Sequence, residues 1–131
     1  MCANVPCQSA IQTALGGYQS IDDLVKENGR LRIQRDVTTD MLNGIDGISC
    51  VKPKGAMYCF AKVDEKKFNI QNDEQMVLDL LSSEKILLVH GRAFNLTEGT
   101  YFRLVFFPHS DVLVPALHRI GNFFRTYKQG A

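Results

Sequence analysis

The sequence has 131 residues, 45% of them hydrophobic, and its 15 basic and 14 acidic residues leave a net charge of +1. This length is typical of one domain that buries about two-thirds of its unfolded surface. The balanced charge disfavours nucleic acid as a partner. No apolar run is long enough to span a membrane, and the amino terminus lacks the pattern of a signal peptide. We therefore expect a cytoplasmic protein without a membrane partner.

The four cysteines have spacings that match neither a zinc site nor a redox pair; they are Cys2, Cys7, Cys50 and Cys59. Cys50 and Cys59 fall in predicted strands, where a thiol behaves as a small hydrophobic group. We expect reduced thiols in a reducing compartment, and no metal.

The first thirty residues have helical periodicity. Apolar residues recur at steps of three and four between Ile11 and Val25, with an interruption at Gly16-Gly17. Ser20, followed three residues later by Asp23, resembles a capping box. This pattern predicts a second helix that begins near Ser20.

A third helix is predicted over 31–45, after the turn residues Asn28-Gly29. The hydrophobic period then shifts towards two. It predicts strands at 48–51 and 56–63, which the turn residues 52–55 can join into a hairpin.

The second half of the chain begins with a predicted helix, for which Asn72 and Gln75 supply capping residues. The continuous apolar run 86–89 is typical of an interior strand. A loop is predicted over 90–99, and a further strand over 101–107.

The final helix has an apolar face that runs from Leu113 to Tyr127. Pro115 is expected in or near its first turn, because a proline deeper in a helix removes a hydrogen bond. Together these elements predict an α+β (α/β two-layer) domain, with a small mixed or antiparallel sheet covered by helices.

Arg103 lies in the middle of the last predicted strand, on the face opposite Phe102 and Leu104. A guanidinium does not lose its proton, and its dehydration costs several kcal/mol, roughly, unless an anion meets it. Three explanations are open: a position at a sheet edge or solvent face, an ion pair within the protein, or a site for an anionic ligand. The planar fork of arginine suits the third, because it offers a carboxylate two parallel hydrogen bonds.

The remaining candidates indicate no catalytic chemistry by themselves. His90, Gly91 and Arg92 open a loop at a strand end, where function often resides, although a solvated loop explains them equally. His109 and His118 are interpreted as structural or exposed. No nucleophile elbow, phosphate loop or zinc motif is present, and no lysine lies in an apolar setting suited to a Schiff base.

Four stretches nevertheless resemble one family: CANVPCQSAIQTALGGYQSIDDL, GISCVKPKGAMYCFAKVD, ILLVHGRAFN and YFRLVFFP. They are similar to the carboxy-terminal third of the fold-type I, pyridoxal-phosphate-dependent aminotransferases, and closest to the bacterial glutamate–pyruvate (alanine) aminotransferases. The F-R-[LI] strand and the P-x-G-A-x-Y turn occur in the expected order, and the resemblance runs over essentially all 131 residues. It implies that 1–131 is the small carboxy-terminal domain of such an enzyme, with 1–30 a helical segment leading from an absent large domain.

The resemblance also implies roles for individual residues. Arg103 would bind the α-carboxylate of the amino-acid or 2-oxo-acid substrate. The loop with Gly91 and Phe94 would lie near the mouth of the active site, with His90 where the family usually has proline. We assign no catalytic role to His90 or Arg92.

The Schiff-base lysine, the cofactor-ring aspartate and most phosphate-binding groups of the family precede this region. We therefore expect no catalytic or cofactor-binding residue in this chain, and no activity or bound pyridoxal 5′-phosphate in it alone. The full-length enzyme would be a homodimer that uses this cofactor to transfer an amino group between an L-amino acid, alanine or glutamate, and a 2-oxo acid. The alternative is a free-standing binding or oligomerisation module without catalysis. As a fragment, the chain is expected to expose apolar surface that promotes association, as a non-native oligomer or through a swapped amino-terminal helix.

Overall fold

The computed structural model describes residues 2–130; Met1 and Ala131 lie outside the described residues. This part of the chain forms six helices and four strands. The helices are α1 (Val5–Gly16), α2 (Ser20–Val25), α3 (Arg30–Asn43), α4 (Glu65–Phe68), α5 (Asp73–Glu84) and α6 (Ser110–Thr126). The strands are β1 (Ile48–Cys50), β2 (Tyr58–Val63), β3 (Val89–His90) and β4 (Thr100–Val105), and a single 3-10 turn spans Gly91–Phe94.

The four strands form one antiparallel sheet in the order β1-β2-β4-β3. The predicted hairpin is confirmed, with Ile48 of β1 opposite Val63 of β2. In β4, Arg103 lies opposite Phe60 of β2 on one side and opposite Val89 of β3 on the other. The sheet therefore has β4 as an inner strand, and β3 as one edge.

One face of the sheet packs against α3, α5 and α6 and forms the core. Alternate side chains of β2 and β4 point into it, as the period of two predicts; they include Cys59, Ala61, Phe102 and Leu104. Aromatic rings of the sheet and α6 meet there, since the centroids of Phe102 and Phe124 lie 6.0 Å apart. The predicted two-layer α+β class is confirmed, and the pairing is antiparallel throughout.

Three local predictions differ from the structure, the first at residues 86–89. Only Val89 of this run joins a strand, and that strand is an edge and not an interior one. Lys85 ends α5 in a left-handed conformation, and the side chain of Leu87 is 76% exposed. A short apolar run alone does not distinguish an interior strand from a connection that buries only some of its side chains.

The second difference concerns Ser20, which is the first residue of α2 and not its cap. Gln19 precedes the helix without a side-chain capping bond, and Asp23 binds the ammonium of Lys26 at 2.8 Å. The predicted helix start is right, but the capping box is not formed. Asn72, in contrast, caps α5 as predicted, because its side chain accepts hydrogen bonds from the N–H groups of Glu74 and Gln75.

The third difference is Pro115, which is the sixth residue of α6 and lies in its second turn. A residue here would normally donate its N–H to the carbonyl of Asp111, four residues back. The sequence predicts a position in or near the first turn, and Pro115 lies near that turn but not in it. The helix tolerates the proline because Asp111 and Pro115 lie on its exposed side, where water can satisfy the free carbonyl.

The amino-terminal helices contribute little to this core. None of the residues of α1 or α2 is buried. None of the helices within residues 2–130 combines the length and the apolar character that crossing a bilayer requires.

Candidate functional site

Arg103 lies on the sheet face that the helices leave open, in the inner strand β4. Neighbouring strands flank it on both sides, so Arg103 does not lie at a sheet edge, and of the first explanation only a position on the open face remains. Its side chain is half-buried even though no helix covers this face. Something other than the core helices must therefore shield it.

Two aromatic rings provide this shielding. The guanidinium carbon of Arg103 lies 4.6 Å from the ring centroid of Tyr58 and 4.4 Å from that of Phe94. Tyr58 comes from β2, and Phe94 comes from the 3-10 turn that follows β3. Rings stacked on a guanidinium attract its charge and cover its faces, and they leave its N–H groups directed outward in the guanidinium plane.

The side-chain hydrogen-bonding groups of Arg103 lack a protein partner within residues 2–130. Its Nε is buried and makes no hydrogen bond there, and no carboxylate of these residues lies within 4 Å of its guanidinium nitrogens. This excludes the explanation of an ion pair with another described residue. A buried donor without an acceptor is costly, roughly 1–3 kcal/mol and more when charged, so the site is suited to an anion that arrives from outside.

More aromatic side chains surround this pair of rings. The centroid of Phe60 lies 5.6 Å from that of Phe94, edge to face, and 5.6 Å from that of Tyr101, stacked. These apolar walls lower the local dielectric constant, which strengthens any ion pair that Arg103 makes with a ligand.

Two contacts hold the loop after β3 in place: a close approach to β4 and a hydrogen bond to α5. A Cβ atom at Gly91 would lie 3.1 Å from Cβ of Tyr101, so a larger residue would push the turn outward. The Arg92 N–H donates to Oδ2 of the buried Asp73 at 3.0 Å. The structure therefore places Gly91 at the start of the turn, against Tyr101, and Phe94 at its end, against the guanidinium. The Arg92 side chain between them is 62% exposed.

His90 and the two other histidines lie away from Arg103. His90 is directed at Asp73, with Nδ1 3.7 Å from Oδ2, on the helix-covered side of β3. His109 precedes α6 and His118 is exposed on that helix, in line with the prediction of structural or exposed side chains. Among residues 2–130, no three acidic, cysteine or histidine side chains gather in a way that would hold a metal ion.

Sequence reasoning missed two contributors, Tyr58 and Asp73. Tyr58 could have been found from the strand pattern. It lies two residues before Phe60, which pairs with Arg103, so Tyr58 and Arg103 are on the same face of the sheet. Asp73 carries none, since an aspartate after an N-cap is ordinary at the start of a helix. Its link to residue 92 exists only in three dimensions.

The chain belongs to the class I and II aminotransferases. The sequence profile described as "Aminotransferase class I and II" matches residues 1–120. The resemblance predicted from the four sequence stretches is thereby confirmed, and the chain corresponds to the carboxy-terminal part of these proteins.

Individual relatives agree with this assignment. The chain is 54% identical over 129 residues to the glutamate-pyruvate aminotransferase AlaA of Haemophilus influenzae, covering 98% of this chain and 32% of the relative. It is 53% identical to the alanine aminotransferase of Mycobacterium bovis, again over 129 residues, covering 98% of this chain and 30% of the relative. The chain thus spans about a third of the length of the curated relatives that it matches.

Solved structures show the same fold. A crystal structure of an aminotransferase from Escherichia coli superimposes with a TM-score of 0.89 at 51% identity, covering 98% of this chain and 32% of that one. The alanine aminotransferase from Pyrococcus furiosus gives a TM-score of 0.77 at 35% identity, over 95% of this chain and 30% of that one.

Proposed function

We propose that this chain forms the substrate-carboxylate-binding domain of a pyridoxal-phosphate-dependent aminotransferase that acts on glutamate and pyruvate or alanine. The observation that carries the proposal is Arg103, a half-buried cation with two stacked rings and no acidic partner among residues 2–130. The names of the Haemophilus and Mycobacterium relatives support the choice of substrates.

Arg103 would act by binding and orientation. Its in-plane N–H groups meet the two oxygens of a carboxylate, which fixes the direction of the adjoining Cα. The rings of Tyr58 and Phe94 restrict rotation of the guanidinium and exclude water from its faces. A substrate held in one orientation reaches its reactive geometry with less loss of entropy, which is the chief contribution that we assign to this domain.

The lysines of this chain do not fit the cofactor. A Schiff base requires an amine kept in a dry, apolar pocket, whereas none of the eight lysines is buried. Pyridoxal phosphate supplies the electron sink for the carbanion chemistry when it is bound. We propose that residues outside this chain hold it, and that Arg103 with the turn of Gly91 and Phe94 supplies this chain's share of the active site.

The wider assembly is part of the same proposal. Residues 1–131 would form the small domain, with 1–30 leading to the large domain, in a cytoplasmic homodimer. The exposed apolar residues of α1 and of the open sheet face support a missing partner surface; they include Ile11, Leu15, Tyr58, Phe94 and Phe107. The free thiols Cys50 and Cys59 on neighbouring strands fit a reducing compartment.

A chimeric enzyme tests the proposal. This chain replaces the matching segment of the Haemophilus relative, and glutamate–pyruvate transamination is measured with the cofactor added. We expect activity, and we expect Arg103→Ala to lower kcat/KM by roughly 30- to 5,000-fold, which corresponds to the loss of about 2–5 kcal/mol from a desolvated charge pair.

Arg125→Ala is the matched control. Arg125 lies on α6, exposed, where it hydrogen-bonds Asn122 at 3.0 Å. Its loss should leave kcat/KM unchanged. An Arg103→Ala chimera with unchanged kcat/KM would contradict the proposal, and a folded chimera that binds the cofactor but does not transaminate would favour the non-catalytic module.

A further inference from the structure

Asp73 is a carboxylate buried at the first residue of α5, with 2% of its side chain exposed. Its Oδ2 accepts the Arg92 N–H at 3.0 Å, while its Oδ1 has no hydrogen-bond partner within residues 2–130. Two further side chains approach it without hydrogen-bonding: the Arg92 Nε lies 3.6 Å from Oδ1, and the His90 Nδ1 lies 3.7 Å from Oδ2.

A buried carboxylate is tolerated only where donors and positive charge surround it. The amino-terminal end of α5 provides part of this environment, because the helix dipole favours a negative charge there. The other groups near the carboxylate are the Arg92 N–H, the Arg92 side chain and the His90 ring, and all of them belong to residues 90–92. The carboxylate therefore fastens the start of the 3-10 turn to α5.

This attachment determines where the turn ends. Gly91 lies tightly against Tyr101, and three residues later Phe94 closes the turn with its ring 4.4 Å from the Arg103 guanidinium. Asp73 itself lies on α5, one of the helices that cover one face of the sheet, whereas the rings against Arg103 lie at the open face. Its influence on the site would pass through the backbone of the turn.

We propose that Asp73 is a positioning residue of the carboxylate site, which holds the Gly91–Phe94 turn so that the Phe94 ring stays against Arg103. The inference rests on the proposed function. A turn released from Asp73 lets the ring swing away, and the guanidinium regains water and rotational freedom. The consequence is mainly weaker binding of a small 2-oxo acid. The chemical step after binding changes less, because Arg103 and Tyr58 remain in place to orient the bound carboxylate.

A double-mutant cycle in the chimeric holoenzyme tests this inference. Asp73→Ala and Phe94→Ala should each raise KM for pyruvate by about 3- to 30-fold, the factor that corresponds to losing a cation–π contact. Turnover should change by less than about threefold. If Asp73 acts through Phe94, the two losses are not additive. The KM of the double variant should then be at most about twice the higher of the two single-variant KM values.

Two further variants separate positioning from general stability. Asp73→Asn keeps an oxygen that can accept the Arg92 N–H, so its KM should return to within about threefold of the parent value. Asp79→Ala removes another α5 aspartate, which accepts a hydrogen bond from the hydroxyl of Tyr127 at 2.7 Å, after the end of α6. It should lower the melting temperature and leave KM unchanged.

The inference is overturned if Asp73→Ala leaves KM unchanged, or if its effect multiplies fully with that of Phe94→Ala. Should Asp73→Ala fail to fold, Asp73→Ser takes its place in the cycle, because serine is well suited to a helix start and brings no carboxylate to the turn. The failure of the proposed function gives a different result, since Arg103→Ala would then also leave kcat/KM unchanged.

Discussion

At Arg103, geometry matters as much as charge. Two rings lie within 4.6 Å of its guanidinium carbon, and stacking of this kind requires the flat group of arginine. We predict that Arg103→Lys in the chimera keeps the positive charge but still lowers kcat/KM by more than about tenfold, because an ammonium offers no planar fork. Steady-state kinetics with pyruvate measures this. Activity equal to that of the parent would show that the site needs only a point charge.

Tyr127 gives a second prediction at this scale. Burial, together with the hydrogen bond to Asp79, raises the pKa of its hydroxyl well above the usual value. The unfolded chain then loses this proton first as the pH rises, so the stabilising contribution is complete below about pH 10 and declines above it. Urea unfolding at pH 8, 10 and 11 should show a smaller alkaline loss of stability in Tyr127→Phe than in the parent.

The control is Tyr18→Phe, since Tyr18 is 75% exposed, and its curve should follow that of the parent. Parallel curves for Tyr127→Phe would contradict the prediction.

At the level of helices and strands, hydrophobic periodicity predicts which side chains enter the core, but it does not predict which strands pair with each other. The alternation in β2 and β4 correctly predicts which side chains enter the core, because one face of each strand packs under helices. The order β1-β2-β4-β3 is not predictable in this way, since pairing partners are distant in sequence. For the same reason, the strand pattern indicates Arg103 as unusual but does not bring Phe94 to it. Only the family resemblance implies that the loop of Phe94 lies near the active site.

Pro115 provides the prediction for α6. Alanine at this position would restore an N–H that can donate to the Asp111 carbonyl, and would relieve the clash of the ring with the preceding turn. We expect Pro115→Ala to stabilise the chain by about 1–3 kcal/mol, after allowing for the greater freedom of its unfolded state. Chemical denaturation measures the change. Val112→Ala, on an exposed side chain of the same helix, should change stability by about 0.5 kcal/mol at most. A destabilised Pro115→Ala would mean that the packing of α6 requires the distortion caused by the proline.

For the whole molecule, α1 is notable because it has an apolar face that packs against nothing in the core formed by residues 2–130. Its residues Ile11 and Leu15 share one helix face, and they are 50% and 69% exposed. We predict that deleting residues 2–17 changes the free energy of unfolding by less than about 0.5 kcal/mol, because no core contact is lost, and reduces self-association. Light scattering at increasing concentration measures association. Ile11→Lys with Leu15→Lys should reduce it equally while keeping the full length. A chain that is monomeric at all concentrations, or that loses stability on deletion, would contradict the prediction.

Arg103 has no acidic partner among residues 2–130, so in the absence of substrate it takes its counterion from solution. Acetate, formate and citrate carry flat carboxylate groups of the kind that the guanidinium of Arg103 accepts, whereas chloride is a sphere that meets only one or two N–H groups. Buffer salts are therefore competitors at this position. Affinities measured in acetate would understate those measured in an amine buffer with chloride, and the size of that difference would itself measure how selectively the protein recognises a carboxylate.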